Sequence, residues 1–189
     1  PVEHHVRHYL RMAQRIGAAV QQREFSAALG EPPPPAPDGV VRIGLCPGAE
    51  YGSAKRWPAE RFIATANAVS KEIDCEWLVF GSPTEAELGQ QVADGITNNA
   101  TNLAGKTTIV ELIEHLRDCD LLLTNDTGTM HLAALFGIHT VSIFGSTEPA
   151  WTGPLGKNHT VLRKHVECTP CFLRECPIDF RCMEAITVD

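Results

Sequence analysis

From Val40 onward, short apolar runs alternate with longer segments whose apolar residues recur at helical spacing. The runs VVRIGLC (40–46), CEWLVFG (75–81), ATNLAG (100–105), DLLLTN (120–125), HTVSIFG (139–145) and HTVLRK (159–164) read as strands. Between them, PAERFIATANAVSKE (58–72), PTEAELGQQVADGI (83–96), TIVELIEHLRDC (108–119) and residues 127–137 read as helices, the first with proline in its opening turn. Apolar strands alternating with helices predict a parallel sheet covered on both faces, a Rossmann-like α/β fold. Ligands of such sheets sit beyond the C-terminal strand ends.

The first residues follow a different pattern. Val2, Val6, Tyr9, Ala13, Ile16 and Val20 recur at helical spacing, which predicts an amphipathic helix over residues 3–22. GEPPPPAPDG (30–39) comes next. Proline removes backbone donors and fixes φ, so this stretch predicts a stiff, extended linker. A domain boundary is placed there: residues 1–30 form a helix and tail, 31–39 a linker, and 40–189 the main domain.

Composition narrows the function. A formal charge of −7 over 189 residues argues against a general nucleic-acid binder, though not against a local basic pocket. No apolar run approaches the roughly 20 residues of a membrane span. The opening PVEHHVRHYL lacks the apolar core of a signal peptide. The expected location is therefore the cytoplasm, with the cysteines reduced.

Three loops at the C-terminal strand edge carry unusual chemistry. The first, CPGAEYGSAKRWP (Cys46–Pro58), holds Gly48, Gly52 and Ser53, with Lys55 and Arg56 just before a helix. Glycine lets a backbone approach a ligand, and lysine can reach a phosphate. It matches neither G-x-x-x-x-G-K-[ST] nor G-x-G-x-x-G, and a solvated loop with two surface cations is the competing reading. The second, TNDTGTMHLAALFG (Thr124–Gly137), crowds Asn125, Asp126, Thr127, Gly128, Thr129 and His131 around a helix start. The N–H groups of Gly128, Thr129 and Met130 would carry the positive end of the helix dipole, which suits a phosphate. Asp126 would repel phosphate, so it is expected to cap the helix or bind sugar hydroxyls. The third, FGSTEPAWTGPLG (144–156), reads either as an ordered loop able to wall a pocket or as a plain surface loop.

Taken in order, CPGAEYGSAKRWP, NLAGKT, TNDTGTMHLAALFG, FGSTEP and the final cysteine stretch resemble the glycosyltransferase family 9 heptosyltransferases, nearest their heptosyltransferase II branch. The resemblance covers about residues 40 to 186. It implies a GT-B architecture, two Rossmann-like domains with the active site between them, of which this chain carries the C-terminal, donor-binding one. The sugar donor would be ADP-L-glycero-D-manno-heptose. The acceptor, the lipopolysaccharide core on lipid A, and the general base would be handled by an N-terminal domain not contained in this chain. Residues 1–30 would then be the interdomain helix. The reaction implied is inverting transfer of heptose to a heptose hydroxyl, with no cofactor, at the cytosolic face of the inner membrane through peripheral contact.

By the same resemblance, Lys55 would contact the donor phosphates and stabilise the leaving ADP. Asp126 would bind heptose hydroxyls. Thr127, Gly128 and Thr129 would face the diphosphate, with His131 close by, and Ser53, Gly81, Ser82, Gly105 and Lys106 would surround phosphate, adenine and ribose. Losing one charge-stabilising contact of this kind typically costs about 3–4 kcal/mol in the transition state. Lys55→Ala is expected to weaken ADP binding and leave thermal stability nearly unchanged.

CTPCFLRECPIDFRC places Cys168, Cys171, Cys176 and Cys182 in a C-x2-C-x4-C-x5-C array. Such an array can bind zinc through thiolates or hold an iron–sulfur cluster. The favoured reading is a compact loop, reduced or partly disulfide-linked, with structural zinc the alternative. Cys46, Cys75 and Cys119 are expected to be buried thiols. Two rival functions stay open: a GT-B enzyme with a different nucleotide-sugar, and a non-catalytic four-cysteine interaction module on a Rossmann-like scaffold.

Overall fold

The computed structural model describes residues 3–20, 34 and 38–188. Six strands form one parallel sheet: β1 (Val41–Cys46), β2 (Cys75–Val79), β3 (Ala100–Asn102), β4 (Leu121–Asn125), β5 (His139–Phe144) and β6 (His159–Arg163). Their spatial order is β3-β2-β1-β4-β5-β6. The chain winds outward one way from β1 and the other way from β4. These two strands therefore pair at the point where the winding reverses, with Leu45 opposite Leu123 and Cys46 opposite Thr124. Ligands of open parallel sheets bind at such a reversal, beyond the carboxyl ends.

Successive side chains along each strand enter opposite cores, as a pleated strand requires. On one face Leu45, Trp77, Val79 and Leu123 pack with Trp57, Phe62 and Ala66. On the other face Cys46, Phe80 and Leu122 pack with Leu116, Ala133 and Ile138. The covering helices are α2 (Ala59–Glu72), with Phe62 and Ala66, α3 (Ala86–Gly95), which adds Val92 and Ala93 to the first core, α4 (Ile109–Arg117), with Leu116, and α5 (Gly128–Leu135), with Ala133. Short helices α6 (Pro149–Thr152) and α7 (Arg181–Glu184) follow β5 and β6. The predicted Rossmann-like fold is therefore present, with most boundaries within two or three residues. The strand expected over 100–105 is shorter, because the chain turns at Gly105, φ +72°.

The N-terminal helix α1 spans His5–Arg15, not 3–22. It stops at Gly17, whose φ of +90° is the left-handed conformation that ends helices. Residues 21 and 22 lie outside the described residues, as does most of the expected 31–39 linker. The α1 side chains keep contact with the main domain through its first residue and cap. His4 Nε2 is 3.0 Å from the Gly153 carbonyl, and the His5 and Trp151 ring centroids are 5.8 Å apart.

Candidate active site

The loops after β1 and β4 are locked together by one side chain. Asn125, the last residue of β4, is fully buried; its amide oxygen accepts the Trp57 N–H at 3.0 Å. Its amide nitrogen donates to the carbonyls of Pro47 at 2.8 Å and Gly48 at 3.2 Å. Trp57 is held from its other end too, its indole N–H donating to the Ile186 carbonyl at 2.9 Å. Lys55 sits two residues before this anchor, at the end of a single 3-10 turn (Ser53–Lys55).

Lys55 Nζ lies 2.6 Å from Asp126 Oδ2, and the two side chains are only 12% and 5% exposed. The Thr147 hydroxyl donates to the same oxygen at 2.7 Å, and the Thr152 hydroxyl lies at 3.5 Å. Asp126 is thus an ion-pair partner, and it does not cap α5 as expected. The N-cap of α5 is Thr127, and its side chain makes no capping hydrogen bond either; it lies 3.3 Å from the Thr124 hydroxyl. The reason is competition: a buried ammonium and a buried hydroxyl satisfy Asp126 more strongly than one helix N–H would. The consequence is that the first N–H groups of α5 have no side-chain cap. A Cβ built on Gly128 meets no atom within 4 Å, so this end opens onto free space. An uncapped helix amino end beside a lysine is a ready anion site.

Below this end lies Cys46, buried to 3% exposure. Burial pushes its thiol up to about 11, with the neighbouring hydroxyl of Thr129 opposing the rise, and its Sγ lies 3.6 Å from the Phe80 carbonyl. His131, in the first turn of α5, has a lowered pKa. Surrounding protein is the main cause, with His4 and Lys55 adding to it and Asp126 opposing it.

The loop after β2 completes the rim. Ser82 N–H and Oγ both contact Glu85 Oε2, at 2.8 and 3.0 Å. Glu85 is 8% exposed, and its Oε1 has no hydrogen-bond partner among the described residues; Arg56 Nη2 is 4.0 Å away. Glu85 leans across the first loop, where a Cβ on Gly48 would fall 2.1 Å from Oε1. The Gly105 N–H donates to the Gly81 carbonyl at 3.0 Å, which ties the next loop to the same rim. Lys106 turns back to donate to the Asn102 carbonyl at 2.9 Å. The structure therefore brings Lys55, Asp126, Thr127, Gly128 and Thr129 together, with Ser53 on the Lys55 turn and His131 on α5. Gly81, Ser82 and Gly105 gather on the β2–β3 side, and Lys106 is committed to its own loop. Glu85, leaning over the first loop, lines this candidate site and was not expected there, and Cys46 lies in the core at the end of β1. For Glu85 the spacing Ser82-x-x-Glu85, a capping box, was the one available signal.

Comparison with known proteins decides the family. The glycosyltransferase family 9 (heptosyltransferase) profile matches residues 9–180. The chain belongs to glycosyltransferase family 9. Lipooligosaccharide heptosyltransferase 2 of Campylobacter jejuni is 38% identical over 153 residues, covering 78% of this chain and 47% of that protein. Its Haemophilus influenzae counterpart is 34% identical over 162 residues, covering 80% and 42%. The solved structure of E. coli ADP-heptose lps heptosyltransferase II matches with a TM-score of 0.64 at 26% identity, covering 87% of this chain and 45% of that one. This family 9 chain thus spans about half the length of the relatives it matches.

The remaining expectations concern cysteines and membranes. Cys46, Cys75, Cys119 and Cys182 are buried, and all seven cysteines are free thiols. Burial raises the Cys182 pKa, and Cys168, Cys171 and Cys176 add to the rise. Among the described residues, no three His, Cys, Asp or Glu groups are placed to hold a metal ion. No described helix is long and apolar enough to cross a membrane.

Proposed function

We propose that this chain is the sugar-donor-binding half of a GT-B heptosyltransferase that uses ADP-L-glycero-D-manno-heptose and transfers heptose, with inversion, to the lipopolysaccharide inner core. The observation that carries this reading is the Lys55–Asp126 pair beside the uncapped end of α5, at the reversal point of the sheet. The lysine and the helix N–H groups suit a diphosphate. Asp126, with Thr147 beside it, suits sugar hydroxyls at the next position. Glu85 Oε1, buried and unpartnered, offers an acceptor for a further hydroxyl, as on a ribose. No metal is invoked: the charge developing on the leaving diphosphate is met by Lys55 and the helix terminus.

In this reading Asp126 already holds the lysine before the sugar donor arrives. An incoming diphosphate shares Lys55 with Asp126, and the carboxylate is freed to accept from the sugar. The acceptor, its general base and peripheral contact with the inner membrane are assigned to a second domain, consistent with relatives about twice as long. The cytoplasm is the proposed compartment. The chain alone is then expected to bind the sugar donor and transfer nothing.

Calorimetry with ADP, UDP and GDP tests the reading. Preference for ADP is expected. Preference for UDP would move the chain to another nucleotide-sugar, and silence toward all three would favour an interaction module.

A further inference from the structure

The four-cysteine segment, Cys168 to Cys182, supplies no group to the pocket described above. Its middle nevertheless grips the loop that carries Lys55. The Ala54 N–H donates to the Arg174 carbonyl at 3.0 Å, and the Tyr51 hydroxyl donates to the Phe172 carbonyl at 2.9 Å. Gly52 lies under the same strand of backbone: at φ +155°, a Cβ there would fall 2.2 Å from the Arg174 oxygen. The segment is anchored on its far side as well. The Phe172 N–H donates to the Ser146 carbonyl at 2.8 Å, and its ring stacks on Trp151 at 5.0 Å with 14° between planes. These ties hold Phe172 at φ +57°, a conformation that bulky residues avoid.

Lys55 ends against the gripped loop. Its Nζ lies 4.8 Å from the centre of the Tyr51 ring, and the Arg174 guanidinium lies 5.0 Å from the same centre. The ammonium thus has the Asp126 carboxylate on one side and an aromatic ring on the other. A lysine stem has four rotatable carbons, and a ring contact reduces the freedom it loses when it meets a ligand.

We propose that the cysteine-rich segment is a strap whose Phe172–Arg174 stretch positions Lys55, acting through Tyr51 and Gly52. The consequence for ligand affinity rests on Lys55 being the lysine that meets the donor diphosphate. The four cysteines flank this stretch, so their packing sets where the strap lies. Phe172, Arg174, Tyr51 and Gly52 are positioning residues.

The test combines ADP calorimetry with NMR of lysine labelled at its ε-carbon. The Lys55 signal is assigned by its loss in Lys55→Arg. Tyr51→Phe keeps the ring and removes the hydroxyl tie; ADP affinity should fall about threefold, the size of one net hydrogen bond. Gly52→Ala forces strap and loop apart and should weaken ADP about tenfold, as overpacking of a tight contact does. Tyr51→Leu removes the ring, and the Lys55 ε-methylene resonance should move to the position of a lysine with no ring beside it. Gly52→Ala should move it in part. A strap that only stabilises the fold would lower the melting temperature and leave both the Lys55 resonance and ADP affinity unchanged, which overturns the proposal. Should Gly52→Ala not fold, the two Tyr51 variants carry the test. Should the wild-type chain bind no ADP, the donor-site reading falls, and the Lys55 resonance alone decides the strap.

Discussion

Asn125→Ala removes one side chain and leaves three buried backbone groups without their partner: the Trp57 N–H and the carbonyls of Pro47 and Gly48. Asn125 is fully buried, so water cannot replace the amide without entering the end of the sheet. A stranded buried polar group costs about 1–3 kcal/mol, with carbonyls at the lower end, so the sum is about 3–5 kcal/mol. That is a large share of the roughly 5–15 kcal/mol that holds a domain together. Urea unfolding followed by tryptophan fluorescence gives the answer, since Trp57 and Trp77 are both buried. The expected result is a lower midpoint at unchanged slope, and a melting temperature lower by about 2–4 °C for each kcal/mol lost. A loss below about 1 kcal/mol would refute the claim that Asn125 fastens the two loops, because such a value fits an ordinary surface amide.

Other expectations follow from the same geometry. Lys55→Ala strips a buried carboxylate of its main partner, so it should destabilise by about 2–3 kcal/mol as well as weaken ADP binding; an exposed lysine would do only the second. Asp126→Asn should raise affinity for ADP, because Lys55 is no longer half-neutralised, while removing the extra affinity of ADP-heptose over ADP; equal losses for both ligands would contradict this. Ellman's reagent at pH 8 should label the half-exposed Cys168, Cys171 and Cys176 first, and mass spectrometry should find Cys46 and Cys119 unlabelled. Burial raises those two thiols to about 11 and about 12, so folding favours their neutral form. Stability should therefore be intact below the unfolded thiol range and decline as pH rises from there toward 11 and beyond. His131, whose pKa is lowered, should titrate below the usual histidine range by NMR, and ADP binding should raise its midpoint, since a diphosphate nearby favours the protonated ring.

Much of the fold was legible because its strands announce themselves locally. The run Leu121–Leu123 is apolar on both faces, as a central parallel strand must be, and polar residues start in its last two rungs, Thr124 and Asn125. Thr108 and Glu111 mark the start of α4 by a reciprocal cap that is visible as a spacing. The length of α1 was misread because apolar periodicity continues past Gly17, where a left-handed backbone ends the helix. In the site, the residue types were readable but their partners were not. Asp126 looks like a helix cap from its own neighbours. Its ion-pair partner is 71 positions away, and only the pairing of β1 with β4 brings the two together. Lys55 looked exposed for the same reason. Glu85 was hidden by helical periodicity. The grip of Phe172 and Arg174 on residues 51–54 joins segments 121 positions apart, which no local pattern encodes.

On the proposed reading, the uncapped end of α5 and Lys55 form the sugar-donor site. An amide and lysine side-chain NMR titration with ADP-heptose tests it most directly. The largest shifts should fall on the N–H groups of Gly128, Thr129 and Met130 and on the Lys55 ε-methylene, and Lys55→Gln should weaken them. Saturating shifts confined to the α1 surface or to the apolar groove lined by Val69, Ile73 and Leu121, with Gly128 and Lys55 unmoved, would contradict it.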